Sequence, residues 1–475
     1  MTKAEKTPLI KKLWGTPQFY KQLVVLMVPI MIQNGITNFV NMLDNIMIGA
    51  TGTDQMTGVS LANQFFFVFN LCIFGAVSGA GIFGAQFFGN NDHEGVRHTF
   101  RFKMIFSILL TIAGIALFIF FGEDLLKLYM KGESESVDPV ATLGYGKDYI
   151  KIMLIGVLPY TIVQCYSGTL REGAAPTLPM IAGVIAVGVN LVFNYILIFG
   201  KFGAPAMGVE GAAIATVLSR FVELAIVVIC THANKKKFPY MQGVYKSLYV
   251  PGSLVGQLLV KSLPLMLNET LWSAGIAMVN ESYSYRTLDA IAAGNISQTF
   301  WNVFSIAYLA VGNAIGIILG QMLGANRLKE AKEASYKMIS FSFVIAFTIG
   351  MVYMVAAEFI PLFYKADDHI RSLATTMMQI TALAMPFEAL AHASYFTLRS
   401  GGKIGITLVF DSGFMWGVNV LLAFLLTRYT DVSLLGVFTI IQFVAVIKSV
   451  FGLLLVKSGY WVKNIVEDGK SAAAE

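Results

Sequence analysis

Long apolar segments, each followed by a short polar one, run through almost the whole chain. Their hydropathy predicts twelve spans of about 20 to 30 residues, the length that a helix needs to cross a bilayer. Because lipid offers no partner to backbone polar groups, each span is expected to be helical. The spans start near Tyr20, Gly58, Arg97, Tyr149, Thr177, Gly208, Leu258, Asp289, Ala334, Leu373, Ile404 and Val432. We therefore predict an all-α polytopic membrane protein with twelve transmembrane helices.

The second half of the chain repeats the first. Residues 28–32 (VPIMI) match 263–267 (LPLML) at an offset of 235, and 169–173 (TLREG) match 397–401 (TLRSG). Further matches are Gly81 with Gly316, Gln86 with Gln321, Gly89 with Gly324, and 188–190 with 417–419. Copies in the same order predict two pseudo-symmetric six-helix lobes, a construction typical of transporters. The predicted parts are an N-terminal segment (1–19), an N-lobe (20–232), a linker (233–257), a C-lobe (258–459) and a C-terminal tail (460–475).

Composition and charge agree with a membrane protein. Of 475 residues, 56% are hydrophobic and 13% charged, and the net charge is +6. With a cytoplasmic N-terminus, 22 of the 34 Lys and Arg residues fall in cytoplasmic segments and 9 in outer ones, as the positive-inside rule requires. We expect a multi-pass protein of a bacterial inner membrane with both termini cytoplasmic. Its expected partners are lipids and small molecules, without nucleic acid, and we expect a monomer.

The sequence lacks the motifs of an energy-coupled enzyme. There is no nucleotide-binding loop, no nucleophile arrangement and no cluster of metal ligands. The three cysteines, Cys72, Cys165 and Cys230, are widely spaced within apolar spans and suggest neither a disulfide framework nor a metal site. We therefore expect no enzymatic activity and no cofactor, with an ion gradient as the energy source. Lys235, Lys236 and Lys237 are the one candidate for a polybasic lipid-binding run.

Polar residues form a stripe on the first span. Uncompensated amides and carboxylates are costly in hydrocarbon, so this stripe should face the protein interior or a wet cavity. A plainer alternative is that the asparagines are interhelical hydrogen-bonding groups and Asp44 caps a junction near the membrane surface. The stripe consists of Asn34, Asn38, Asn41 and Asn45, with Gln33 and Asp44 at its edge.

Asp44 has candidate partners on two later spans. Asn190 and Asn194 lie four residues apart on span five, on one helix face, and Thr216 lies on span six. With Asp44 they would form an oxygen-rich site suited to Na+ or H+. Burial disfavours a charged carboxylate, so a proton and a cation would compete for it, which is the physical basis of antiport. The alternative for the two asparagines is interhelical hydrogen bonding.

The second lobe carries ionisable residues within its spans. Glu269 lies on span seven, Glu388 and His392 lie one turn apart on span ten, and Asp411 lies on span eleven. Some of them should line the cleft or form a second protonation site. Gln64 on span two is a further cleft candidate.

Two other features of the spans are interpreted structurally. Arg220 and Glu223 are spaced as a neutralising pair on span six. Prolines at related positions of the two lobes are predicted to break helices and to act as hinges or cavity-lining bends. These prolines are Pro29, Pro159, Pro264 and Pro386.

Several motifs resemble those of the MATE (multidrug and toxic compound extrusion) transporters over about residues 15 to 460. They are 43–49 (LDNIMIG), 84–89 (GAQFFG), 170–173 (LREG), 398–402 (LRSGG) and 211–216 (GAAIAT). The resemblance implies two lobes forming a V and efflux of cationic or amphipathic compounds in exchange for H+ or Na+. It places the cation site on Asp44, Asn190, Asn194 and Thr216. Many members have Asp at the position of Asn194, and the missing charge favours H+ coupling or a weaker Na+ site.

The leading hypothesis is thus a secondary active multidrug efflux antiporter. The alternative is a lipid-linked oligosaccharide flippase of the same broad superfamily, which should hold pyrophosphate with Arg or Lys. Apart from Arg220, the spans are predicted to offer little cationic lining. A channel or structural membrane protein is disfavoured by the repeat and by the uneven placement of the carboxylates.

Overall fold

The computed structural model describes residues 13–129, 138–287, 289–364 and 367–467, with Asn41 described for its backbone only. Within these ranges the chain is built almost entirely of helices. The sequence predicts an acidic, solvated outer loop between spans three and four (122–147), and its Glu133 and Glu135 lie outside the described residues.

The described residues of the first half form six long helices. They are α1 (Pro17–Gly49), α2 (Thr53–Gly89), α3 (His93–Tyr129), α4 (Pro139–Glu172), α5 (Thr177–Phe199) and α6 (Gly208–Ala233). A linker with one short 3₁₀ turn, Pro239–Met241, follows α6.

The second half repeats this series. Its helices are α7 (Gly252–Ser284), α8 in two pieces (Asp289–Phe304 and Ile306–Gly324), α9 (Leu328–Phe359), α10 (Asp368–Ser400), α11 (Ile404–Tyr429) and α12 (Leu434–Ser458). The twelve predicted spans therefore match twelve helices. Several helices start earlier than predicted: α4 begins at Pro139, where the Asp138 carboxylate accepts bonds from the Val140 and Ala141 amides. Hydropathy detects only the apolar part of such a helix, whereas a cap at its polar end extends it.

Ten helices in the described residues are long and apolar enough to cross a membrane. The other two long helices, α7 and α10, carry polar residues such as Glu269 and Glu388, which lower their mean hydropathy. Helix α3 exposes large apolar side chains, among them Phe120 at 76% and Ile119 at 64%. An apolar surface of this kind suits contact with lipid tails.

The four prolines do not break their helices, contrary to the prediction. Pro29, Pro159, Pro264 and Pro386 each lie inside one continuous helix. Neighbouring helices can satisfy the carbonyl that a proline leaves without its donor, so a transmembrane helix tolerates proline. Their role as hinges stays a prediction. The interruption lies elsewhere, at the buried Ser305 between the two pieces of α8.

The chain divides into two compact units. Unit 1 contains Met1–Met31, Ala85–Asp92 and Leu267–Glu475, and unit 2 contains Ile32–Gly84 and His93–Met266. The division passes through α1 after Met31 and through α7 after Met266, two residues beyond Pro29 and Pro264 respectively. Both positions are related by the repeat offset of 235. The predicted lobe boundaries stay a prediction.

Candidate functional site

In unit 2, the side chains predicted for the cation site form one hydrogen-bonded chain. Asn194 Nδ2 donates to Asp44 Oδ1 at 2.5 Å and to Asn190 Oδ1 at 3.1 Å. Asn190 Nδ2 in turn donates to Thr216 Oγ1 at 3.2 Å. The structure thus brings together residues of α1, α5 and α6 that lie far apart in the sequence.

Close packing of α5 and α6 positions these groups. Gly211 lies against the backbone of Leu197 and Ile198, where an added Cβ would stand 2.7 Å from the Leu197 carbonyl. Only glycine permits this approach without displacing backbone. Asn190 and Asn194 are 4% and 0% exposed, so their amides must find partners within the protein.

Asp44 is half-buried, and in the described part of the chain it forms no ion pair. The guanidinium of Arg220 acts on it electrostatically. Arg220 is engaged elsewhere: its Nη1 lies 3.4 Å from Glu223 Oε2, as predicted, and its Cζ lies 4.9 Å from the Tyr160 ring centre. In the described part of the chain, Arg220 is therefore paired with Glu223 rather than with Asp44.

The site also contains an unused acceptor. Asn194 Oδ1 is buried and has no hydrogen-bond partner among the described residues. An unsatisfied buried acceptor costs free energy of about 1–3 kcal/mol. Together with Asp44 Oδ1, Asn190 Oδ1 and Thr216 Oγ1 it gives a set of oxygen donors, the chemistry that hard cations prefer.

The other polar residues of the stripe are spread over different environments. Gln33 Oε1 accepts a bond of 2.7 Å from Arg171 Nη2, a partner that the sequence did not indicate. Asn34 and Asn38 are half-buried, while Asn45 and Gln64 are exposed. No described hydrogen bond joins Gln64 to Asp44, and the side chain of Asn41 lies outside the described part. The cleft roles of these residues stay predictions.

In unit 1, Asp411 belongs to a second polar network. Its Oδ1 accepts a bond of 2.7 Å from Lys448 Nζ and its Oδ2 a bond of 3.0 Å from Asn268 Nδ2. Asp411 lies in a π-helical stretch, Val409–Gly413. The wider turn of a π-helix shifts side chains from their usual register and is frequent at functional positions.

The same network continues to Glu269. Asn268 Nδ2 donates to the Tyr395 hydroxyl at 3.2 Å, and that hydroxyl donates to Glu269 Oε1 at 3.4 Å. Arg399 Nη1 lies 3.9 Å from the same carboxylate oxygen. Asp411 and Glu269 are therefore linked through neutral groups, with a cation beside each.

Glu388 and His392 lie on a separate part of α10. Glu388 Oε2 accepts bonds from Trp301 Nε1 at 3.3 Å and from the Tyr308 hydroxyl at 3.1 Å. These donors come from the two pieces of α8, on either side of Ser305. His392 packs edge-on to Tyr308, with ring centres 6.1 Å apart, and its buried Nε2 has no hydrogen-bond partner within the part of the chain that the structure describes.

The sequence analysis did not single out three cations that the structure places beside carboxylates. Lys103 is 1% exposed and holds Glu172 at 2.6 Å, and Arg399 and Lys448 lie beside Glu269 and Asp411. Each lies inside one compact unit, so the expectation that a cleft would have little cationic lining stays a prediction. Each of these three cations is neutralised by a carboxylate. The repeat indicated two of them, because Arg399 lies 228 positions after Arg171 and Lys448 lies 228 positions after Arg220.

The helices and their polar interior define a class of protein, the multi-pass α-helical membrane proteins with internal duplication. The MatE family model matches residues 29–196 and again residues 264–425. The chain belongs to the MatE family, as its motifs predicted. The two matches start 235 residues apart, which also confirms the internal repeat.

Relatives match over nearly the whole chain. A "probable multidrug resistance protein NorM" of Thermotoga maritima is 24% identical over 452 residues, 95% of each chain. A "probable multidrug resistance protein YoeA" of Bacillus subtilis is 23% identical and covers 90% of this chain, with 92% of its own length matched.

Solved structures share the fold. A multidrug resistance MATE family transporter of the MOP superfamily, in an outward-facing conformation, has a TM-score of 0.81 at 18% identity, covering 96% of this chain and 99% of its own. A MOP superfamily transporter from Pyrococcus furiosus matches equally well, with a TM-score of 0.81 at 19% identity. That transporter has a binding pocket of reverse polarity, which suggests a different function for it.

Proposed function

We propose that this protein is a secondary active multidrug efflux antiporter that exports cationic or amphipathic organic compounds in exchange for H+ or Na+. The observation that carries the proposal is the placement of Asp44, a carboxylate without an ion pair in the described residues, against the buried amide of Asn194. The relatives are named as probable multidrug resistance proteins, which supports export as the direction of transport and drug-like compounds as the substrates. The protein would act as a monomer in a bacterial inner membrane, with both termini cytoplasmic, and without enzymatic activity or cofactor.

Exchange follows from the chemistry of the site. A charged Asp44 accepts the hydrogen bond from Asn194, whereas a protonated Asp44 can donate one. Rotation of the Asn194 amide would then present Oδ1, the unused acceptor, to the new donor. Na+ would instead draw on the oxygens of Asp44, Asn190 and Thr216. A proton and Na+ each neutralise the charge of Asp44, so one excludes the other. When the bound ion leaves, the negative charge returns and attracts a cationic substrate.

The prolines of α1 and α7 fit an alternating mechanism. Each lies two residues before the position at which its helix passes from one unit to the other. A proline removes a helical hydrogen bond and so lowers the cost of bending there. We propose Pro29 and Pro264 as hinges, with Pro159 and Pro386 as secondary bends.

The function is tested by ethidium efflux from proteoliposomes in which Na+ and pH gradients are imposed separately. We expect efflux to follow one of the two gradients and to stop when that gradient is collapsed with an ionophore. Efflux that depends on neither gradient would refute the antiporter.

A further inference from the structure

The linker after α6 is a fixed element rather than a loose tether. Arg101, which is 9% exposed, donates to the carbonyl oxygens of Val244 at 2.8 Å and Tyr249 at 3.2 Å. Arg97 Nε donates to the Tyr240 carbonyl at 3.2 Å. Two arginines of α3 thus hold successive turns of the linker backbone.

The linker has two distinct faces. Its inner face is buried and apolar, with Phe238, Tyr240, Met241 and Val244 each at most 5% exposed. Its outer face exposes four lysines, Lys235, Lys236, Lys237 and Lys246. Large apolar or amphipathic side chains follow Lys246 closely, with Leu248 at 62% and Tyr249 at 67% exposed.

The lysines belong to one surface. Gln242 Nε2 donates to the Lys235 carbonyl at 2.9 Å, which joins the start of the linker to its middle. The side chain of Lys246 lies over the adjacent Gly243, with its Cδ 3.3 Å from where a Cβ would stand. Residues 231–257 contain no Asp or Glu, so the positive charge of the outer face is not neutralised from within the segment.

We propose that residues 234–249 form a docking surface for anionic phospholipid headgroups. The segment starts one residue after α6 ends at Ala233 and finishes just before α7 begins at Gly252, so it lies where two membrane-spanning helices leave the bilayer. Lysines near an anionic leaflet attract its headgroups, and exposed Tyr and Leu partition into the interface. The fixed backbone presents these side chains without an ordering cost on binding. A soluble acidic protein would satisfy the lysines but would not require Leu248 and Tyr249 to be exposed beside them.

The test is native mass spectrometry of the purified full chain, equilibrated with equal amounts of phosphatidylglycerol and phosphatidylcholine. In the variant with Lys235, Lys236, Lys237 and Lys246 all changed to Gln, we expect the retained ratio of phosphatidylglycerol to phosphatidylcholine to fall at least about tenfold, because each lysine near an anionic surface contributes up to about fivefold. For the wild type, the ratio should also fall when the ammonium acetate concentration is raised from about 0.1 M to about 1 M, since screening shortens the Debye length.

The matched control removes the same charge elsewhere, from the exposed Lys21, Lys201, Lys329 and Lys457. It should retain nearly the wild-type lipid ratio. An equal fall of the lipid ratio in both variants would mean that only total charge matters and would overturn the proposal. An unchanged lipid ratio in the linker variant, or in the wild type at high salt, would overturn it as well. A linker variant that binds a soluble acidic protein less tightly but keeps its lipid ratio would assign the surface to such a partner instead. Failure of transport would not affect this result, since lipid retention is measured without a substrate.

Discussion

Asp44 and Asp411 are both carboxylates inside long helices, one in each half of the repeat, but their surroundings differ. Asp411 accepts a hydrogen bond of 2.7 Å from the Lys448 ammonium, whereas Asp44 accepts one from the neutral amide of Asn194. The cation that corresponds to Lys448 in the first half is Arg220, and it is paired with Glu223. The two corresponding cations therefore have different partners. Lys448 pairs with Asp411 in the second half, whereas Arg220 pairs with Glu223 in the first half and leaves Asp44 without an ion pair in the described residues. An acid with a permanent partner contributes to structure, and an acid without one can exchange ions.

The largest effect is expected from Lys448→Met. Both side chains of the pair are less than one-fifth exposed, at 19% and 17%, so the change leaves Asp411 charged and uncompensated. Removing one partner of a buried pair destabilises a protein by about 3–5 kcal/mol. Thermal unfolding in detergent should show this loss, and adding Asp411→Asn should recover most of it. Lys457→Met, at an exposed position of the same helix, is the control. Wild-type stability of Lys448→Met would remove the structural assignment of Asp411.

A smaller effect, on ion binding rather than stability, is expected from Asn194→Asp. A second carboxylate beside Asp44 should strengthen Na+ binding by about tenfold or more, since cation affinity rises with the charge of the ligands. Isothermal titration calorimetry with NaCl measures it. The control is the double variant Asp44→Asn with Asn194→Asp, which keeps the original charge and should bind Na+ no more tightly than the wild type. Unchanged affinity in the single variant would place Asn194 outside the site.

Glu223→Gln should give Asp44 a nearby cation, as Asp411 has in the second half. Without its partner, Arg220 is free to turn its charge toward Asp44, with which it already interacts electrostatically. A cation near a carboxylate competes with any other cation, so ion-driven efflux should fall by about tenfold while the amount of folded protein is kept. Arg220→Gln combined with Glu223→Gln should restore efflux. If the double variant were as defective as the single one, Glu223 itself would be part of the transport pathway.

The smallest effect is expected from Thr216→Val. The change removes only the terminal hydrogen bond of the chain, from Asn190 at 3.2 Å. A neutral hydrogen bond contributes about 0.5–1.5 kcal/mol, so the concentration of ion that gives half-maximal efflux should rise about threefold. Loss of all coupling would instead make Thr216 a direct and essential ligand.

The sequence predicted the helices, the repeat and the members of the Asp44 cluster, for identifiable reasons. A long apolar segment is expected to be helical in lipid, because its backbone polar groups find partners only within the helix. The spacing of Asn190 and Asn194 puts both on one helix face. The contacts of the second network, such as the hydrogen bond from Asn268 to Asp411, could not be predicted. Predicting that contact requires the packing of α7 against a π-helical turn, and the width of a turn leaves no mark in the hydropathy pattern.

Proton and sodium release on substrate binding tests most directly whether Asp44 is the exchange site. Tetraphenylphosphonium is added to detergent-solubilised protein in weak buffer, and released H+ is followed with an indicator dye and displaced ²²Na+ by filtration. We predict that the wild type and Asp411→Asn release one kind of ion, and that Asp44→Asn binds the compound but releases neither. Ion release from Asp44→Asn equal to that of the wild type would contradict the account.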